Sequence, residues 1–118
     1  MRSALAPILA ALLFGHPSPA VSAPSEDCQW VEGRLSAYNG TPTFRIWPKE
    51  TNRLLGVVSR SGASEDADVL PAKVSRMGPS FSRDLWGSFR VCPQTPDRVG
   101  WMRMVVVTDA QRLIAKER

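Results

Sequence analysis

The chain has 118 residues, 15 Lys+Arg against 11 Asp+Glu for a formal net charge of +4, and 43% hydrophobic residues. That length supports one small domain, that hydrophobic share fits a folded chain, and that charge is too slight for a dedicated nucleic-acid binder. The single histidine, His16, falls in the leader described next, which removes histidine-dependent triads and histidine-ligated metal sites from consideration.

Residues 1–23 have the three parts of a secretory signal peptide. Met1-Arg2 is a short positive start, Ala4 to Phe14 is apolar apart from Pro7, and Val21-Ser22-Ala23 is a small-residue cleavage site. The apolar run is too short to span a bilayer, and no later segment comes near 18 apolar residues. The expectation is a periplasmic or secreted protein with no membrane span after signal removal. Residues 24–118 then form a single small β domain. Arg2 leaves with the leader, so 14 basic side chains face 11 acidic ones in the remainder.

Export changes how the two cysteines, Cys28 and Cys92, are read, because disulfides persist outside the cytoplasm. Two oxidised cysteines in one chain can pair in one way. They close a loop of about 65 residues, for which chain entropy gives about 2–4 kcal/mol of stabilisation. A reactive thiol is the rival, but the chain has no Cys-x-x-Cys and no histidine beyond the leader to activate one.

The rest of the chain is a row of short β-type segments separated by turn signals. Residues 29–38 form the first strand, ended by Asn39-Gly40. Residues 43–47 form the second, broken by Pro48 and a polar stretch, and residues 53–58 form the third. Residues 59–68 read as an exposed acidic loop. Residues 70–77 predict a short helix with Pro71 in its first turn, ended by Gly78-Pro79. Residues 85–92 are the fourth strand, 93–100 a loop with two prolines, and 101–107 the fifth strand. Residues 112–116 read equally as a short strand or a helical turn.

Three strands, a helical connection and two more strands is the order of an oligonucleotide/oligosaccharide-binding barrel. The fold class expected is therefore all-β with one short helix, a small five- to six-stranded OB-like barrel; a small β-sandwich is the alternative. In the barrel topology the first and fourth strands are antiparallel neighbours, which sets Cys28 opposite Cys92.

Side chains alternate faces along a strand. One parity collects Val31, Gly33, Leu35 and Ala37, then Phe44 and Ile46, then Leu85, Gly87, Phe89 and Val91, then Met102, Met104 and Val106. This is the expected core. The other parity collects Trp30, Glu32, Arg34 and Tyr38, then Arg45 and Trp47, then Trp86 and Arg90, then Trp101 and Arg103. Four strands thus each set an arginine and a large aromatic on the outer face. Such a face is either a binding platform, with rings to stack and planar forks for carboxylate or phosphate, or a structural cover in which arginines lie over tryptophans that a small barrel cannot bury.

Catalytic candidates are few. Glu32, Asp84 and the loop trio Glu65, Asp66 and Asp68 are the main carboxylates, and nothing in their spacing sets up an acid/base pair across a cleft. The acidic loop lacks the alternating oxygen ligands of a calcium site. Ser61-Gly62 reads as a turn, since no base accompanies the serine. No enzyme activity, cofactor or metal is expected.

The runs Gly33-Arg34-Leu35, Tyr38-Asn39-Gly40-x-Pro42, Arg45-Ile46-Trp47, Arg53-x-Leu55-Gly56-Val57 and Gly87-Ser88-Phe89-Arg90-Val91-Cys92-Pro93 together give a resemblance. The chain resembles a set of small exported proteobacterial proteins of unassigned function that share this pattern over most of the segment after the leader. The pattern often carries a further cysteine in the last strand, where Met104 to Val107 has none. The resemblance implies export and a compact β fold, and brings no activity with it.

The function expected is a non-catalytic exported binding module for an anionic glycan or acidic envelope component, with Arg34, Arg45, Trp47, Trp86 and Arg90 as contact residues. Export argues against nucleic acid as the ligand. The alternative is an accessory or inhibitor protein that engages another envelope protein through loops 59–68 and 93–100.

Overall fold

The computed structural model describes residues 27–62 and 69–118. The leader expected at residues 1–23 and the carboxylates Glu65, Asp66 and Asp68 lie outside the described residues. Five strands and one helical turn follow in the order β1 (Gln29–Ala37), β2 (Phe44–Pro48), β3 (Leu55–Val57), α1 (Ala72–Ser75), β4 (Arg83–Pro93) and β5 (Arg103–Glu117).

β1 pairs with two partners. Its Gln29–Leu35 portion lies antiparallel to β4, and Gly33–Ala37 lies antiparallel to β2. Gly33 permits a close approach of β2: a Cβ there would run into the backbone carbonyl of Trp47. The opposing Gly87 is constrained in the same way by the carbonyls of Gln111 and Arg112, 2.8 and 3.1 Å from where its Cβ would sit. β2 pairs antiparallel with β3, β3 parallel with β5 and β5 antiparallel with β4, so the sheet closes in the order β1-β2-β3-β5-β4. This ring is the expected OB-like order, and closure sets aside the alternative, the sandwich.

The register Gln29↔Val91 brings Cys28 beside Cys92, which form a disulfide with Cα atoms 4.1 Å apart. Inside the ring, Leu35, Ile46, Leu85 and Phe89 are each 0% exposed, worth about 1.5–3 kcal/mol apiece when removed from water. Val69, Leu70 and Val74 add the α1 segment to the same cluster. Lys73 holds α1 against β5 through Asp109 Oδ1 at 2.8 Å and the Ala110 carbonyl at 3.1 Å.

The last strand departs from expectation. Residues 112–116 are strand, continuous with the fifth, and β5 opposes the 11 residues of β4 with 15 of its own. Part of the surplus is taken up at two register shifts of one residue each, at Thr108 and at the Arg112-Leu113 pair that faces Gly87; Arg103 and Met104 run on past the end of β4 and pair with β3. Arg112 adopts a left-handed φ of 56° there, a bulge geometry. Val105, Val107 and Ala110 join the central core cluster, not Met102, Met104 and Val106. Arg103, expected on the outer face, pairs with Leu55 and so has the interior parity of Val105. Residues 104–107 are apolar without alternation, so their own pattern cannot assign a face; the β3 and β4 registers do.

Candidate functional site

β1 lies between β2 and β4, so its outward side chains meet outward side chains from both. Arg34 is opposite Trp47 on β2 and Trp86 on β4, and Trp86 is opposite Ile114 on β5. A row of four side chains therefore crosses four strands. The Arg34 guanidinium carbon lies 5.2 Å from the Trp47 ring centre and 5.7 Å from that of Trp86. The two indoles meet edge to face, 6.1 Å apart and inclined at 86°. The Trp47 indole N–H donates to the Thr51 carbonyl at 2.7 Å, which fixes that ring.

Among the described residues no side-chain hydrogen bond fixes Arg34. Its Nε is buried without a partner, and no carboxylate pairs with it among the described residues. Buried N–H groups are nearly always paired, so this one marks a place where the surroundings supply ring faces instead of acceptors.

The rim is cationic. Lys116 places its ammonium 5.8 Å from the Trp86 ring, and neither it nor Lys49 forms an ion pair among the described residues. The nearby carboxylates have partners of their own: Asp84 accepts from Arg118 at 2.7 Å, and Glu32 approaches Arg112 at 3.5 Å. Beside Trp86 a shallow cleft of about 270 Å³ is lined by Gly33, Gly87, Lys49, Arg112 and Ile114 together with Glu32.

Of the five expected contact residues, three meet in this row: Arg34, Trp47 and Trp86. Arg45 is one row away, opposite Ser36; its guanidinium lies 4.7 Å over the Tyr38 ring and its Nε donates to the Pro42 carbonyl at 2.9 Å. Arg90 lies four residues along β4 from Trp86, about 13 Å at strand rise, opposite Trp30, and donates to Thr108 Oγ1 at 2.9 Å. Its neighbour Asp109 is held below the usual carboxylate range, first by its hydrogen bond from Lys73 and then by the Ala110 N–H.

Trp101 leaves the face altogether. It stands in the β4–β5 loop, 67% exposed, with the Arg98 guanidinium 5.2 Å from its ring. Pattern reading missed Ile114 in the row and Lys116 at its rim; Leu113-Ile114-Ala115 is apolar without alternation and gave no local signal.

Barrels of this strand order commonly bind ligands over strands two and three. Here that surface is covered at Gly56, where the nearest neighbours of a Cβ would be the Pro42 ring and the sulfurs of Met104 and Met102, at 2.6, 2.7 and 3.0 Å. The open, charged surface is the one centred on β1. No group of three or more His, Cys, Asp or Glu side chains suited to a metal occurs among the described residues, and no described helix is long and apolar enough to cross a membrane. The chain matches no protein-family model, no curated protein and no solved structure.

Proposed function

We propose that this chain is a non-catalytic binding module of the cell envelope, which takes an anionic glycan or similar acidic component on the Arg34–Trp47–Trp86 face. The observation that carries the reading is the state of Arg34: a guanidinium positioned between two indoles, with a buried Nε that has no acceptor and no carboxylate partner among the described residues. Its planar fork suits a carboxylate or sulfate, and the tryptophans give sugar rings an apolar surface. A periplasmic or secreted location is part of the proposal, supported by the leader pattern at residues 1–23 and by the Cys28–Cys92 disulfide.

The test uses the protein purified with its disulfide formed, a polyuronate oligosaccharide and a neutral oligosaccharide of equal length. Tryptophan fluorescence should report saturable, salt-sensitive binding of the polyuronate, and Arg34→Met should weaken it at least about tenfold, the loss of a charged hydrogen bond. Equal binding of the two glycans, or an undiminished affinity in Arg34→Met, would remove this face as the site.

A second reading has its own observation. The β4–β5 loop leaves Val99 fully exposed beside Trp101, against an open cleft of about 680 Å³ formed with Asn52, Arg53 and Leu54. An accessory or inhibitor protein engaging another envelope protein would use such a loop. Crosslinking that captures one stoichiometric protein, lost in Val99→Ser with Trp101→Ser but kept in Arg34→Met, would favour this reading over the glycan.

A further inference from the structure

The end of the barrel opposite α1 is not filled. Between the start of β1 and the ends of β2 and β4 lies a cavity of about 160 Å³, the space of about five waters. Its walls are Val31, Leu55, Val91 and Val105, with Pro48 and Pro93 at the edge. Valines close this layer, where the middle of the barrel holds Phe89, Leu35, Ile46 and Leu85.

Two arginines stand at its mouth, and they differ. Arg53 is fully engaged: its two terminal nitrogens donate to the two oxygens of Asp97, at 3.1 and 2.6 Å. Arg103 enters from the interior parity of β5, and its Nε donates to the Thr95 carbonyl at 3.0 Å, which sets the direction of the guanidinium. Its terminal nitrogens have no hydrogen-bond partner among the described residues, and it forms no ion pair there. Asp27 shares the neighbouring cleft with Arg103 without pairing to it.

From this geometry we propose a second binding site, independent of the β1 face: the barrel end takes a small carboxylate with a short branched hydrocarbon tail. The tail enters among Val31, Leu55, Val91 and Val105, and the carboxylate accepts from the terminal nitrogens of Arg103. Small-molecule sites are mostly apolar concavities with a few fixed polar groups, and a guanidinium held by its Nε presents its other edge as a two-pronged donor.

The test uses the full chain with its disulfide formed and two probes of similar shape, isovalerate and isoamyl alcohol, followed by methyl NMR. Isovalerate should shift the methyl signals of Val31, Leu55, Val91 and Val105 in a saturable way, while the Trp47 and Trp86 indole signals stay in place. The alcohol should bind at least about tenfold more weakly, because it gives the fork no charged acceptor. Arg103→Gln should lower the affinity for isovalerate to that for the alcohol, and Val31→Phe, which fills the mouth, should abolish binding of both. The acid/alcohol comparison on the unmodified chain stands even where a variant does not fold. No saturable shift with isovalerate at millimolar concentration, equal binding of acid and alcohol, or shifts confined to the indoles would each overturn the proposal.

Discussion

Gly33 and Arg34 are adjacent on β1 and face opposite sides, and each is constrained by the same neighbour, Trp47. Gly33 turns inward against the Trp47 backbone, leaving no room for a Cβ; Arg34 turns outward onto the Trp47 ring. Gly33→Ala must displace backbone, not a flexible side-chain end, so it should destabilise by about 3 kcal/mol, the upper part of the range for overpacking. A urea titration reads this as a lower midpoint at unchanged slope, and an unaltered midpoint would show that β2 can yield. Arg34→Met should behave differently. It removes a buried donor without an acceptor, a cost of about 1–3 kcal/mol, together with two cation–π contacts worth about 0.5–2 kcal/mol each. These terms offset, so thermal melting should show a change of less than about 1 kcal/mol. A large loss would make Arg34 a structural cover for the indoles.

β5 shows at the level of one element why pattern reading has a limit. The strands with clean alternation were legible: Leu35 and Ala37, Ile46, and Leu85, Phe89 and Val91 face inward as their own spacing dictates. The order of elements and the β1–β4 neighbourhood followed from them, and the disulfide, read separately, from the leader pattern and the count of two cysteines, agrees with that neighbourhood. Residues 104–107 carry no alternation, and the two bulges depend on what β4 presents, so neither the face of Arg103 nor the membership of Ile114 and Lys116 could be read locally. Thr108 makes the point testable. It is the extra residue in the bulge between Val107 and Ala110, which both face inward. Deleting Thr108 closes the bulge and leaves Val107 and Ala110 two positions apart on the inner face, with Asp109 still outward opposite Arg90, so the fold should survive as seen by circular dichroism. Thr108→Ala should cost about 1 kcal/mol for the lost hydrogen bond from Arg90.

The β2–β3 and β4–β5 loops are joined in turn by Arg53 and Asp97, a bidentate but exposed pair. The hydrogen bond from Arg53 is the chief reason the Asp97 carboxyl is held below its ordinary value. A depressed carboxylate contributes whatever it contributes at neutral pH and above its unfolded value, and loses it as the pH falls through the folded one. The clasp should therefore persist through mildly acid conditions and open only below the ordinary carboxylate range. An NMR titration of Asp97 checks this, and Arg53→Ala should move its midpoint upward.

At the scale of the whole molecule, the ring is completed by one seam, β1 against β4, whose paired residues are far apart in sequence. Closing such a loop costs chain entropy before the contact gives anything back. The disulfide lies at the Gln29↔Val91 end of this same seam and joins residues 64 positions apart. Covalent link and strand pairing therefore impose one constraint, and removing the link should be felt along the seam from that end. Cys28→Ser with Cys92→Ser should lower stability by about 2–4 kcal/mol and raise the urea slope, since an unlinked denatured chain exposes more surface. Hydrogen exchange should locate the effect: the amides of Gln29 and Val31 should lose protection well before Leu35, which pairs on both sides with Ile46 and Leu85. Uniform loss along β1 would mean that the seam opens as a unit. Fraying confined to the disulfide end would disturb the barrel-end cavity, where Gln29, Val31 and Val91 sit, and leave the Trp47–Arg34–Trp86 row in place. The two proposed sites should then respond differently to reduction, isovalerate binding being lost while polyuronate binding survives.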